Sequence, residues 1–137
     1  MDETLARERF VAARTAKLAT ADAEGAPHLV PIVFAVESNV IAFAVDHKPK
    51  NTMNLRRLRN IAANERVCLL VDHYEEDWER LWWARADGRA SMVEDPAGRS
   101  RWIDRLAERY HQYRDHPPEG PVVAITVDQW RGWSYSE

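Results

Sequence analysis

The spacing of apolar and polar positions divides the chain into segments of two periods. Asp2 or Thr4 can cap a first helix whose inner side would carry Leu5, Phe10 and Val11. From Lys17 the run "KLATADAEGAPHLVPIVFAVESNVIAFAV" predicts three strands, with "AEGAP" and "ESN" as turns. The middle strand, Pro27 to Val36, is apolar at successive positions around "LVPIVFAV". Such a run predicts two covered faces, as in a barrel wall with the core on one side and a partner or ligand on the other. Pro31 cannot donate a ladder hydrogen bond and is expected at an edge or bulge. Met53 or Leu55, Leu58, Ile61 and Ala62 then recur at helical spacing, with Asn51 or Thr52 as the expected N-cap. Residues 66–73 predict a fourth strand, "YEEDWER" an acidic loop, and "LWWARADGRASMVE" a strand pair or one strand bent at Asp87-Gly88. Asp95-Pro96 opens an amphipathic helix carrying Trp102, Ile103, Leu106, Tyr110 and Tyr113, which "HPPEGP" ends. "VVAITVDQWRGWSY" supplies the last strand. The order α-βββ-α-ββ-α-β, with short connections, predicts a mainly β, antiparallel sheet closed into a small barrel with flanking helices. A doubly wound parallel fold would need a helix after each strand.

Composition narrows the class. The 137 residues fit one domain, 1–137, of a soluble globular kind, at 45% hydrophobic and 30% charged. A net charge of -3 gives no reason to expect nucleic acid or a membrane as main partner. Six tryptophans in so short a chain point to a subunit contact or a flat ligand. The single cysteine, Cys68 in "RVCLLVD", reads as a small buried hydrophobe and cannot form a disulfide within the chain, which suits a reducing cytoplasm. "DETLARERF" lacks the basic and apolar regions of a signal peptide, and no apolar run approaches the roughly 18 residues of a membrane helix. A cytoplasmic protein is expected.

Candidate chemistry is sparse. No G-x-G-x-x-G, phosphate-loop or G-x-S-x-G motif occurs, and the five histidines (28, 47, 73, 111 and 116) show no metal spacing. His47 and His73 each end a strand beside an aspartate and could meet in space. The positive signal is "DHKPKNT", residues 46–52. If Asn51 or Thr52 begins a helix, its free N–H groups and dipole form an anion site, to which Lys48 and Lys50 add charge. Arg56, Arg57 and Arg59 follow on the helix, while a solvated turn is the alternative. A second signal is aromatic: Trp78, Trp82 and Trp83 lie near Tyr74, and on a strand Trp82 and Trp83 must face opposite sides. Trp130 and Trp133 read as packing residues.

Taken together, "LATADAEGAPHLVPIVFAV", "FAVDHKPK", "LRRLRNIAANERVCLLVDHYEEDW" and "LWWARADGRASMV" resemble the pyridoxamine 5'-phosphate oxidase-like superfamily, and within it the branch of deazaflavin (coenzyme F420)-dependent enzymes. The resemblance runs from about Lys17 to "WRGWS". It implies an FMN-binding-type split β-barrel acting as a homodimer, with a flavin or deazaflavin in each of two clefts between subunits. The cofactor ring would lie along Val30, Pro31, Ile32, Val33 and Phe34 and along Phe43, Ala44 and Val45. Its phosphate would be held by Lys48 and Lys50, supported by Thr52 and Arg57. Trp78, Trp82 or Trp83 of the opposite subunit would close the pocket. FMN-using relatives carry an R-x-x-x-R/K pattern on the second strand and an R-K pair in the turn. Here residues 29–36 are uncharged and the turn reads "KPK", which favours coenzyme F420 over FMN. The resemblance thus implies an oxidoreductase passing hydride between coenzyme F420 and a small enone- or quinone-like molecule. The alternatives are an FMN-dependent oxidase or reductase of the same fold and a non-catalytic flavin or deazaflavin carrier. A protonating group could be His28, Tyr74 or solvent.

Overall fold

The computed structural model describes residues 1–45 and 55–136. Helix α1 (Glu3–Ala12) begins where the Asp2 carboxylate accepts a hydrogen bond from the Leu5 N–H at 2.8 Å, so Asp2 and not Thr4 is the cap. Its buried face is Ala6 and Phe10, whereas Leu5 is exposed and Val11 half-buried. The small residue fits because α1 lies close against the last strand. A Cβ added to Gly132 would stand 2.3 Å from the Met1 sulfur and 3.0 Å from the Ala6 Cβ.

Seven strands follow: β1 (Ala16–Ala21), β2 (Pro27–Ile32), β3 (Ala35–Glu37), β4 (Val40–Ala44), β5 (Arg66–His73), β6 (Trp82–Met92) and β7 (Val122–Ser134). They form one antiparallel sheet in the order β2-β1-β5-β6-β7-β4-β3. The β1–β2 turn is fixed by Asp22, whose carboxylate accepts from the N–H groups of Glu24 and Ala26 (both 2.9 Å), and by Gly25 at φ 89°. These backbone donors, Ala26 first, hold the Asp22 carboxyl below its ordinary range.

The predicted strand 27–36 is in fact two strands. Val33 and Phe34 leave the ladder, so that β2 pairs with β1 while β3 pairs with β4 at the opposite edge. Consecutive strands thus form the two edges, and the sheet curls to bring them near each other. The inner residues Leu18, Ile32, Phe43, Leu69, Ala86 and Ile125 accordingly share one core with Phe10, Leu58 and Ile61. The outer positions of β2 (Pro27, Leu29, Pro31) are exposed in this chain, and burial on both faces belongs instead to β4. Behind β4, Ala42 and Ala44 pack with Val122 against Trp102, Leu106, Tyr110 and Tyr113.

"LWWARADGRASMV" is a single strand, β6, whose register with β7 shifts between Asp87 and Gly88. Asp128 is the residue skipped on β7. This β-bulge explains why Val123, Ile125 and Val127 face inward at every second position while the next buried residue is Trp130, three further on. Trp130 then packs edge-on to Phe10, at 5.4 Å between centroids, and its indole N–H donates to Asn39 at 3.2 Å.

Two helices are placed differently from expectation. Helix α2 (Arg56–Ala63) starts with Leu55 in the N-cap position and no side-chain cap, so Asn51 and Thr52, outside the described residues, do not open it. On α2 Ala62 is exposed and Asn60 buried, the Asn60 amide donating to the Thr20 hydroxyl at 3.0 Å. The last predicted helix breaks at Tyr110 into α3 (Pro96–Arg109) and α4 (His111–Asp115), with Asp95 capping α3 through the Gly98 N–H at 2.8 Å. Cys68 is half-exposed on the outer face of β5, not buried; partial burial, with Asp87 adding to it, pushes its thiol up. No helix among the described residues is long and apolar enough to cross a membrane.

Candidate functional site

Three joints meet where β2 gives way to β3. Tyr110, between α3 and α4, receives the Phe34 N–H on its hydroxyl at 3.2 Å. That hydroxyl lies 2.9 Å from the Arg14 carbonyl and 3.0 Å from the Phe34 carbonyl, to one of which it donates. The neighbouring Arg109 donates to the carbonyls of Val11 and Ala13 while its guanidinium lies 5.0 Å over the Phe34 ring and 5.3 Å over Tyr110. Burial, its largest influence, pulls the Arg109 guanidinium down from its ordinary range. The α1–β1 joint, the strand break and the α3–α4 joint are therefore tied together by two adjacent side chains.

Beside this knot lies a groove of about 270 Å³ at the split between the sheet's edges. The end of β2 contributes Pro31 and Ile32, the break after it Val33, and the end of β4 Phe43 and Ala44. Arg57, on the first turn of α2, brings a cation to one part of the lining, and Thr15 and Tyr113 complete it. Among the described residues the groove is an apolar slot with one guanidinium, a donor set suited to a flat aromatic ligand bearing an anionic tail.

Six of the residues singled out in the sequence therefore line one groove: Pro31, Ile32, Val33, Phe43, Ala44 and Arg57. Three neighbours support it from behind. Val30 packs against the core, Phe34 is fully buried 5.0 Å from Phe10, and Val45 is buried with its N–H bonded to the Pro121 carbonyl at 2.9 Å. Lys48, Lys50 and Thr52 lie outside the described residues, as does His47. Thr15 and Tyr113 were missed. Tyr113 sits at core spacing from Tyr110, and nothing in the pattern signals that a residue buried against β4 also reaches a groove.

None of the three tryptophans lines the groove of its own chain. Trp78 is exposed, edge-on to Tyr135, and Trp82 faces the core under the Arg9 guanidinium, 4.9 Å away. Trp83 is on the outer face, as the alternation requires. There it helps line a cavity of about 290 Å³ with Leu70, Asp72, Tyr74 and Arg85. His73 pairs with Glu75, which also takes the Arg80 Nε–H at 2.9 Å, and among the described residues no group of three acids, histidines or cysteines is arranged to hold a metal.

The fold recurs in solved structures. A conserved hypothetical protein from Mycobacterium tuberculosis is similar with a TM-score of 0.79 at 22% identity, over 98% of this chain and 85% of that one. A FAD-binding protein from Mesorhizobium loti gives 0.73 at 20% identity over 96% and 94%, and a heme storage protein from Vibrio cholerae 0.72 at 21% over 98% and 95%. No curated protein sequence matches the chain. The family model for pyridoxamine 5'-phosphate oxidase matches residues 3–134.

Proposed function

Because the chain belongs to the pyridoxamine 5'-phosphate oxidase family, we propose that the groove at the sheet's split is a flavin-type cofactor site and that the protein, acting as one domain, is an oxidoreductase. The carrying observation is the groove itself, in which two apolar strand ends and the Arg57 guanidinium converge. Pro31, Ile32 and Val33 would support one edge of the ring and Phe43 and Ala44 the other, with Val30, Phe34 and Val45 fixing those strand ends from behind. Arg57 would take the phosphate, joined by Lys48, Lys50 and Thr52 from the sequence that precedes α2. The cofactor supplies hydride chemistry when bound; the protein orients it and keeps water from one face. Deazaflavin coenzyme F420 is preferred to FMN because β2 carries no charged residue between Leu29 and Ile32 that would meet a phosphate near the ring. The second substrate would be a small enone- or quinone-like molecule.

The outer face supports a homodimer with the cofactor cleft at its interface. Leu29 is 65% exposed on the outer face of β2, and the outer cavity between β5 and β6 is walled by Leu70, Tyr74 and Trp83. Trp78 or Trp83, both on outward surfaces, could then reach the partner's groove, whereas Trp82 is held by the core. A cytoplasmic location completes the reading. The heme storage relative from Vibrio cholerae favours a second reading, in which the groove only holds a ligand.

Fluorescence titration of the purified chain with coenzyme F420 and with FMN tests the reading. Saturable binding of one of them, weakened about tenfold or more by Arg57→Ala, is expected; no binding of either below the tens of micromolar sinks it. Turnover of the reduced cofactor with a panel of quinones and enones then separates an enzyme from a carrier.

A further inference from the structure

The groove does not end at Tyr113. Beyond the residues it shares with a neighbour (Thr15, Val33 and Tyr113) a second basin of about 410 Å³ opens. This basin adds Arg14, Tyr110, His111 and Gln112, and among the described residues neither aspartate nor glutamate lines it. Its floor is apolar and aromatic: Val33, with the rings of Tyr110 and Tyr113 edge-on at 6.2 Å. Among the described residues its rim carries one fixed cation, Arg14. The Arg14 guanidinium lies 4.8 Å over the Tyr110 ring, and one of its N–H groups donates to the Arg109 carbonyl, which holds it in place and leaves further donors of the fork. The exposed side chains of His111 and Gln112, at the start of α4, add polar groups beside it.

We propose that this basin is the subsite for the second substrate, a small planar molecule carrying one carboxylate or sulfonate, with its ring against Tyr113 and its anionic group on Arg14. The assignment rests on reading the first groove as the cofactor site, since the shared wall of Thr15, Val33 and Tyr113 then sets the two ligands side by side. A charge pair on an exposed side chain such as Arg14 is weak alone. The aromatic floor is what makes a planar anion fit better than a simple one.

2-Naphthoate and its uncharged amide, titrated into the full-length protein, provide the test. Amide 1H–15N shifts of Thr15, Val33, Gln112 and Tyr113 are expected to move saturably with naphthoate and about fivefold more weakly with the amide, the upper value of one exposed charge pair. Arg14→Gln should weaken naphthoate by a similar factor, and Arg14→Lys by less, with little change in thermal midpoint. Shifts confined to other residues, or Arg14→Gln and His111→Gln variants within twofold of the parent, overturn the proposal. Cofactor affinity measured on the same variants should be unchanged. A parallel loss would mean that the basin holds an anionic extension of the cofactor, which also overturns it. Absence of cofactor binding to the parent protein is read at the first groove and counts against that reading alone, because the naphthoate shifts are followed with and without cofactor.

Discussion

Among the described residues, the Arg57 guanidinium gives the first groove its charge. Arg57 is the one charged side chain among the described residues lining that groove, so Arg57→Ala should weaken flavin or deazaflavin binding by about tenfold or more, as for one charge-assisted phosphate contact, at nearly constant thermal midpoint. Parallel affinity and melting measurements check this; an unchanged affinity would remove the anion from that end. Tyr110 acts differently, because its hydroxyl satisfies the backbone of Phe34 at the strand break. Tyr110→Phe leaves that buried N–H without its partner and should cost about 1–3 kcal/mol in urea unfolding, with a loosened groove seen as weaker cofactor binding. At this scale the sequence was legible where a residue's role follows from its neighbours along the chain. Pro31, Val33 and Phe43 were reached through the family resemblance, and Asp2 and Asp95 through capping. Thr15 and Tyr113 were not, since their roles depend on which distant elements meet.

Among the elements, the bulge between β6 and β7 sets which side chains enter the core. A Cβ on Gly88 would lie 2.4 Å from the Thr126 carbonyl oxygen and 3.0 Å from Ile125 Cγ2. Backbone of the facing strand cannot yield as a flexible side chain does. Gly88→Ala should therefore destabilise by about 1–3 kcal/mol, as overpacking does, read as a lower urea midpoint with an unchanged slope. A wild-type midpoint would show that the strand pair shifts freely. The irregularity was visible as "ADG" but not its consequence for Trp130, because the skipped residue lies on the partner strand. The break at Val33–Phe34 gave no sign at all. "LVPIVFAV" is apolar throughout, with no glycine, and the two halves part only because they find different partners. Helix α2 begins later than its apolar spacing suggested, at Arg56, which places Arg57 rather than an Asn-Thr cap in its first turn.

For the whole molecule, surface carboxylates paired with basic side chains make stability depend on pH. Asp128 accepts two hydrogen bonds from the Arg89 guanidinium, at 2.9 and 3.1 Å, and that contact, its largest influence, holds its carboxyl below the ordinary range. Glu75 is lowered in the same way, first by His73 and then, more weakly, by Arg80. In each case the folded value lies below the unfolded one, so the unfolded chain takes up the proton first. The stabilisation is complete above the unfolded carboxylate value and is lost as pH falls through the folded one. Urea midpoints should decline from about pH 5 towards pH 2, and Asp128→Asn should flatten part of that decline; an identical slope in the variant would exclude the pair as a contributor. Sedimentation gives the matching test of assembly. A dimer is expected, weakened by Leu29→Asp, and a monomer at every concentration would remove the interfacial cleft.

The two ends of the sheet carry one more consequence. A sheet with free edges can recruit further strands by backbone pairing and grow without limit. Here one edge, β2, is interrupted by Pro27 and Pro31, which have no N–H to offer, and the other, β3, is only three residues long. Both are poor templates for strand addition, although the outer face beside them is apolar enough to be sticky. Any contact between copies would thereby be steered from edge to face, towards closed association and away from fibrous growth.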